Sequence, residues 1–160
     1  MNETPFLKIV PARQAILPAI SGTHGVITQT DIVFMSYLDP EFNNAELDYP
    51  LTFSPETVVS IYQAVAEGSL YDYFNSLELA LDKLSLSTNQ IISYCDSQRQ
   101  LIRDNHATHL FLYIRKNEYF VASVRSYAQG QVLRIYTLQE KCTFSVEGNY
   151  CLVVPSIVSN

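Results

Sequence analysis

Tryptophan is absent from the 160 residues, charged side chains make up only 16% of them, and cysteine occurs three times. Low charge leaves tyrosine, serine, threonine, asparagine and glutamine to cover much of the surface. Eleven tyrosines against no tryptophan favour positions that are half-buried or at an interface, where a ring and a hydroxyl are both useful. No apolar run reaches the length of a membrane span, and MNETPFLKIVPARQ has an acid before its first base, unlike a signal peptide. A soluble cytoplasmic protein is therefore expected, with no membrane partner. An odd number of cysteines fits free thiols in a reducing compartment, and buried structural cysteine is the plain reading of Cys95, Cys142 and Cys151.

The motifs of the common chemistries are also missing. GxSxG, HExxH, CxxC and GxGxxG do not occur. Ser21-Gly22-Thr23-His24-Gly25 has the small residues of a phosphate loop but neither its spacing nor its lysine, and reads as a connection. His106 and His109 lie where a helix gives way to a strand, so positions three apart point to opposite sides. No metal site, cofactor or catalytic residue is assigned. An enzyme would have to assemble its site from dispersed groups: His24, Asp31, His106, His109 and the acidic stretch Asp39–Pro50. That stretch, DPEFNNAELDYP, lacks the spacing of a calcium loop and reads as a solvated acidic loop or a docking edge for a basic partner.

What is present is a segregated pattern of strands and helices. It predicts a single α+β domain, with N-terminal strands and the acidic loop over 1–54, three helices over 55–105 and an antiparallel sheet over 107–154. Phe6–Val10 suggests an edge strand ended by Pro11, and Val26–Leu38 a strand of about ten residues. Ser54, Pro55 and Gly68 bracket a first helix carrying Val58, Ile61, Tyr62 and Val65. Ser69 with Asp72 starts a second, whose seam Leu70, Phe74, Leu77, Leu81 and Leu84 either packs inside the chain or makes a homodimer. Ser87 with Gln90 caps a third, through about Asn105. Cys142–Val154 is expected to close the chain as a hairpin.

Ala107–Leu138 is the most informative stretch. Three runs rich in Tyr, Phe, Val and Ile, parted by Lys116-Asn117-Glu118 and Ala128-Gln129-Gly130, predict a β-meander. Alternation assigns Leu110, Leu112, Ile114, Phe120, Ala122, Val124, Leu133 and Ile135 to a core face. The opposite face then joins Phe111, Tyr113, Arg115, Tyr119, Arg125, Arg134 and Tyr136, aromatic rings beside three arginines with no carboxylate in the runs. Residues 1–54 and 55–105 each carry a net charge of -4 and 106–160 a net +2, so the positive charge follows the meander. Such a face can lie under the helices, meet a protein, or stack single-stranded nucleic acid. The overall charge of -6 places nucleic acid below the other two. The expected function is a non-enzymatic interaction module, of chaperone or inhibitor type, with a protein partner and these seven residues as its contact surface.

Overall fold

The computed structural model of the protein describes residues 6–19, 35–42, 55–104 and 106–156. In chain order its elements are β1 (Leu7–Leu17), β2 (Met35–Leu38), β3 (Thr57–Ala64), α1 (Leu70–Asn75), α2 (Leu81–Leu84), α3 (Thr88–Ser97), α4 (Arg99–Asp104), β4 (Thr108–Arg115), β5 (Glu118–Tyr127), β6 (Gly130–Thr137) and β7 (Tyr150–Pro155). This is a mixed α+β fold built on one large sheet, ordered β1-β3-β7-β4-β5-β6-β2. Two pairings, β4 with β7 and β2 with β6, are parallel, and the others are antiparallel.

The meander forms where alternation places it, but with a register that changes its faces. Lys116 and Asn117 both take positive φ, 50° and 63°, so β4 and β5 are joined by a two-residue turn that pairs Arg115 with Glu118. The sequence expectation used a three-residue spacer. One residue fewer moves every β4 side chain to the other side of the sheet. Phe111 and Tyr113 therefore stand beside Ala122 and Phe120, while Leu110 and Leu112 stand beside Ser123 and Val121.

Both faces of the sheet are covered, and each carries its own core. On one, α3 and α4 supply Ile91, Tyr94, Cys95 and Ile102 against Phe111, Tyr113, Ala122, Val124, Leu133 and Val153. On the other, α1 and α2 supply Leu70, Phe74 and Leu84 against Leu110, Leu112, Val121, Leu152 and Val154. The seam Leu70, Phe74, Leu77, Leu81 and Leu84 is thus used within the chain. It is carried by two short helices, because the Ser76 hydroxyl turns back onto the Tyr73 carbonyl and Glu78 takes a φ of 56°.

Three further expectations are corrected. The segment bracketed by Pro55 and Gly68 contains a strand, β3: Thr57, Val58, Val59, Ile61 and Tyr62 are β-branched or aromatic, and such side chains lose rotamer freedom in a helix. Pro11 does not end β1. The strand runs on to Leu17 across a register shift between Ile9 and Gln14, which an edge strand can absorb. The final hairpin is absent. Phe144 bridges Gly68, and β7 inserts between β3 and β4, where Cys151, Leu152, Val153 and Val154 are buried in a continuous run.

The two capping boxes are present at Ser69–Asp72 and Ser87–Gln90. The third helix is nevertheless broken at Gln98 into α3 and α4. No disulfide joins the three cysteines; Cys95 and Cys151 are buried and Cys142 is exposed, so buried packing describes two of the three. Residues 26–34 of the expected second strand, the turn Ser21–Gly25, and Asp31, Glu46, Asp48 and Ser54 lie outside the described residues.

Removing a cap should cost far less than opening the sheet's centre. Ser87→Ala is expected to lower stability by about 1 kcal/mol and Leu152→Ala by about 2–5 kcal/mol. Urea midpoints at constant m-value measure both, and equal costs would contradict the central place of β7.

Candidate functional site

The seven residues expected to share one surface are divided between the two faces. Phe111 and Tyr113 belong to the core under α3, where the Tyr94 ring meets Phe111 edge-on at 5.2 Å and Phe42 meets Tyr113 edge-on at 5.7 Å. Arg115 lies on the same side. Its Nη1 donates to Glu41 Oε2 at 2.8 Å, so the start of the acidic loop pairs with its charge. Asp39 is engaged as well: its Oδ2 accepts from the Ile135 amide at 3.2 Å, and its own amide donates to the Leu133 carbonyl at 3.1 Å. Asp39 is half-buried and departs from the solvated-loop expectation, whereas Glu41 stays exposed while it pairs with Arg115, and residues 43–50 lie outside the described residues. Tyr119 is half-buried against the second core beside Leu81.

The remaining three, Arg125, Arg134 and Tyr136, do come together. They line a shallow basin of about 170 Å³ on the α1–α2 side, at the end of the sheet that those helices leave open. Its other walls are Thr108, Ser123, Tyr127, Val132, Phe144 and Tyr150. Register explains the grouping. Ser123 pairs with Arg134 and Arg125 with Val132, so the two arginines are diagonal neighbours on adjacent strands, with Cβ atoms roughly 7–8 Å apart. Tyr127 and Tyr136 each follow an arginine by two positions and share its face.

Aromatic rings support both cations. The Arg125 guanidinium lies 6.0 Å from the Tyr127 ring centroid and that of Arg134 lies 5.6 Å from the Tyr37 ring, brought in by the parallel pairing of β2 with β6. Tyr136 and Tyr150 are held in place by edge-on contacts with Phe144 at 6.1 and 5.0 Å. Burial raises the Tyr150 hydroxyl above its ordinary range; Tyr136 and Tyr127 push the same way and Arg125 opposes them. Among the described residues neither Arg125 nor Arg134 has a carboxylate within ion-pair distance. The basin wall is therefore made of cations and hydroxyl donors without a negative counterpart.

Sequence reasoning missed Tyr37, Tyr127, Phe144 and Tyr150. Alternation alone would have found Tyr127, two positions beyond Arg125. Tyr150 and Tyr37 arrive through parallel pairings between distant strands, for which the chain has no local signal. Of the groups named for an enzyme site, the two described histidines stand in different surroundings. His106 is exposed, whereas His109 is wholly buried with Nδ1 3.2 Å from the Tyr94 hydroxyl, and His24 and Asp31 lie outside the described residues. Glu56, Glu67, Asp72, Glu78 and Asp82 are exposed. Among the described residues, no three His, Cys, Asp or Glu side chains converge as a metal site would need, and no helix is long and apolar enough to cross a membrane. Compared with protein-family models, curated proteins and solved structures, the chain matches none of them.

The divided faces make two measurable differences. The Tyr113 hydroxyl is buried without a hydrogen-bond partner among the described residues, so Tyr113→Phe removes an uncompensated polar group. Its urea midpoint should be unchanged or higher; a loss of more than about 1 kcal/mol would mean that the hydroxyl is satisfied.

Alkaline stability follows from Cys95 and Tyr113, both wholly or almost wholly buried and both raised mainly by that burial. The folded state keeps their protons longer than the unfolded state. Stability is therefore full below the ordinary values of 9.0 for the thiol and 10.0 for the phenol, and falls as pH rises past them. The slope is about 1.4 kcal/mol per pH unit for each group. Unfolding curves between neutral and alkaline pH test this, and Cys95→Ala should remove the part that begins near the thiol value.

Proposed function

We propose that this protein is a non-enzymatic interaction module that acts by occupying a macromolecular partner, in the first place a protein, through the basin around Arg125, Arg134 and Tyr136. One observation carries the reading: two arginines stand on tyrosine rings, with hydroxyl groups around them and no carboxylate partner among the described residues. Arg115, by contrast, is paired within the chain by Glu41. Tyrosine and arginine are also the residues from which interface hot spots are most often built, since each offers a large contact area and a directed donor.

The surface is smaller than the sequence suggested, because Phe111, Tyr113 and Arg115 belong to the other side. Tyr37, Tyr127 and Tyr150 replace them. Arginine with aromatic rings also favours a second reading, single-stranded nucleic acid, in which bases stack and phosphates meet the guanidinium groups. The net charge of -6 weighs against it.

The two readings part under salt and mutation. Affinity capture should recover a reproducible protein with wild-type bait and lose it with Arg125→Ala/Arg134→Ala. A nucleic-acid binder would instead titrate with single-stranded oligonucleotide at a log–log salt slope of roughly -1.4, about -0.7 for each of two phosphates. Retention of every captured protein by the double variant would reject the basin as the contact surface.

A further inference from the structure

Three cavities among the described residues offer arginine or apolar walls. The largest, about 420 Å³ between α4 and the β5–β6 turn, contains Arg99 and Arg103. Those two are already engaged, Arg99 with Asp96 and Arg103 with Gln100 and Asp104. The groove at Tyr119 and Leu138 has Glu118 in its wall and no cation. Only the β5–β6 basin combines cations that lack a carboxylate partner, among the described residues, with a small concave volume.

Its dimensions and donors define what fits. A volume of about 170 Å³, open to solvent on one side, suits one compact polar group with a short attachment. Arg125 and Arg134 bring two positive charges on diagonal positions, and Ser123, Tyr127, Tyr136 and Tyr150 bring hydroxyls that can donate. A carboxylate offers one negative charge and a phosphodiester also one. A phosphomonoester offers nearly two and three strong acceptor oxygens, which matches two guanidinium groups and their hydroxyl neighbours.

We infer that the Arg125–Arg134 basin is a receptor for a phosphomonoester group, carried either by a phosphorylated side chain of a partner protein or by a small phosphorylated metabolite. The inference rests on the reading of this basin as the protein's working surface, and it names the chemical group that the surface takes. Each guanidinium lies against a tyrosine ring, which reduces the side-chain freedom lost on binding. Tyr150 reports occupation, because an anion beside it must raise the energy of its phenolate further.

The experiment titrates the full chain with inorganic phosphate, a phosphoserine peptide, the same peptide with glutamate in place of phosphoserine, and a single-stranded oligonucleotide. Backbone amide NMR shifts and the alkaline absorbance titration of Tyr150 are followed, with Tyr150→Phe to assign the latter. Inorganic phosphate should give saturable shifts in β5, β6 and the start of β7. Arg125→Gln or Arg134→Gln should each weaken it by roughly tenfold or more. Binding of the phosphoserine peptide should also weaken between about pH 7.5 and about pH 5, across the second ionisation of its phosphate near roughly 6.

A phosphopeptide that binds at least about tenfold more tightly than phosphate points to a protein-borne group; equal affinities mean that the phosphate group alone is recognised. Both support the inference. Absence of saturable shifts, shifts that survive both arginine substitutions with unchanged urea midpoints, a glutamate peptide equal to the phosphopeptide, or tightest binding by the oligonucleotide would each overturn it. Phosphate failing while capture still depends on Arg125 and Arg134 removes this inference and leaves the interaction reading. Phosphate binding with no arginine-dependent partner does the reverse.

Discussion

The two-residue turn at Lys116 and Asn117 decides what every other part of the structure can be. Because both residues take positive φ, Arg115 sits opposite Glu118, and the period-2 geometry then fixes the whole of β4. With this register the largest β4 rings, Phe111 and Tyr113, face α3, while Leu110 and Leu112 face α1 and α2. Each helical pair thus receives a sheet face of matching volume. A turn one residue longer would place Arg115 beside Tyr119 and Phe111 beside Ser123, and would send a cation and large rings to the side already filled by Leu70, Phe74 and Leu84.

Local signals were legible wherever a residue and its structural consequence lie within a few positions of each other. The capping boxes at Ser69–Asp72 and Ser87–Gln90 are of this kind, as are the three meander strands and the grouping of Arg125, Arg134 and Tyr136. Reading failed where two periods coexist. Val58, Ile61, Tyr62 and Val65 satisfy the helical spacing, yet Val59, Ile61 and Gln63 alternate with Val58, Ser60 and Tyr62, and the β-branched content decides for a strand once β1 and β7 offer hydrogen-bonding partners. It failed again for Tyr37 and Tyr150, whose positions depend on parallel pairings across about a hundred and about forty residues of chain. The same property that hid the basin also built it, since its walls come from β4, β5, β6, β7 and the segment at Phe144.

A cationic basin on a chain of net charge -6 has a particular electrostatic character. At a distance the protein repels anions, although salt limits that field to about 10 Å at 0.1 M. Within contact distance the arginines dominate. An anion bound there as proposed would gain little from long-range steering, and discrimination would come from how well its oxygens meet the guanidinium and hydroxyl donors. That is a setting for selection by shape and charge number, in contrast to the broad basic stripe by which a protein coats a polyanion.

The position of β7 has a consequence for how the chain is made. Translation delivers β1, β3 and the complete β4–β5–β6 meander before Tyr150–Pro155 exists, yet β3 and β4 reach each other only across that strand. The meander can close locally as soon as its turns are synthesised. The β1–β3 pair, by contrast, waits with an unpaired inner edge and with Val59, Ile61 and Ala64 exposed to whatever else presents a strand. The newborn chain therefore passes through an interval in which the inner edge of β3 is an open template, and the rate at which β7 fills the gap sets how long that hazard lasts.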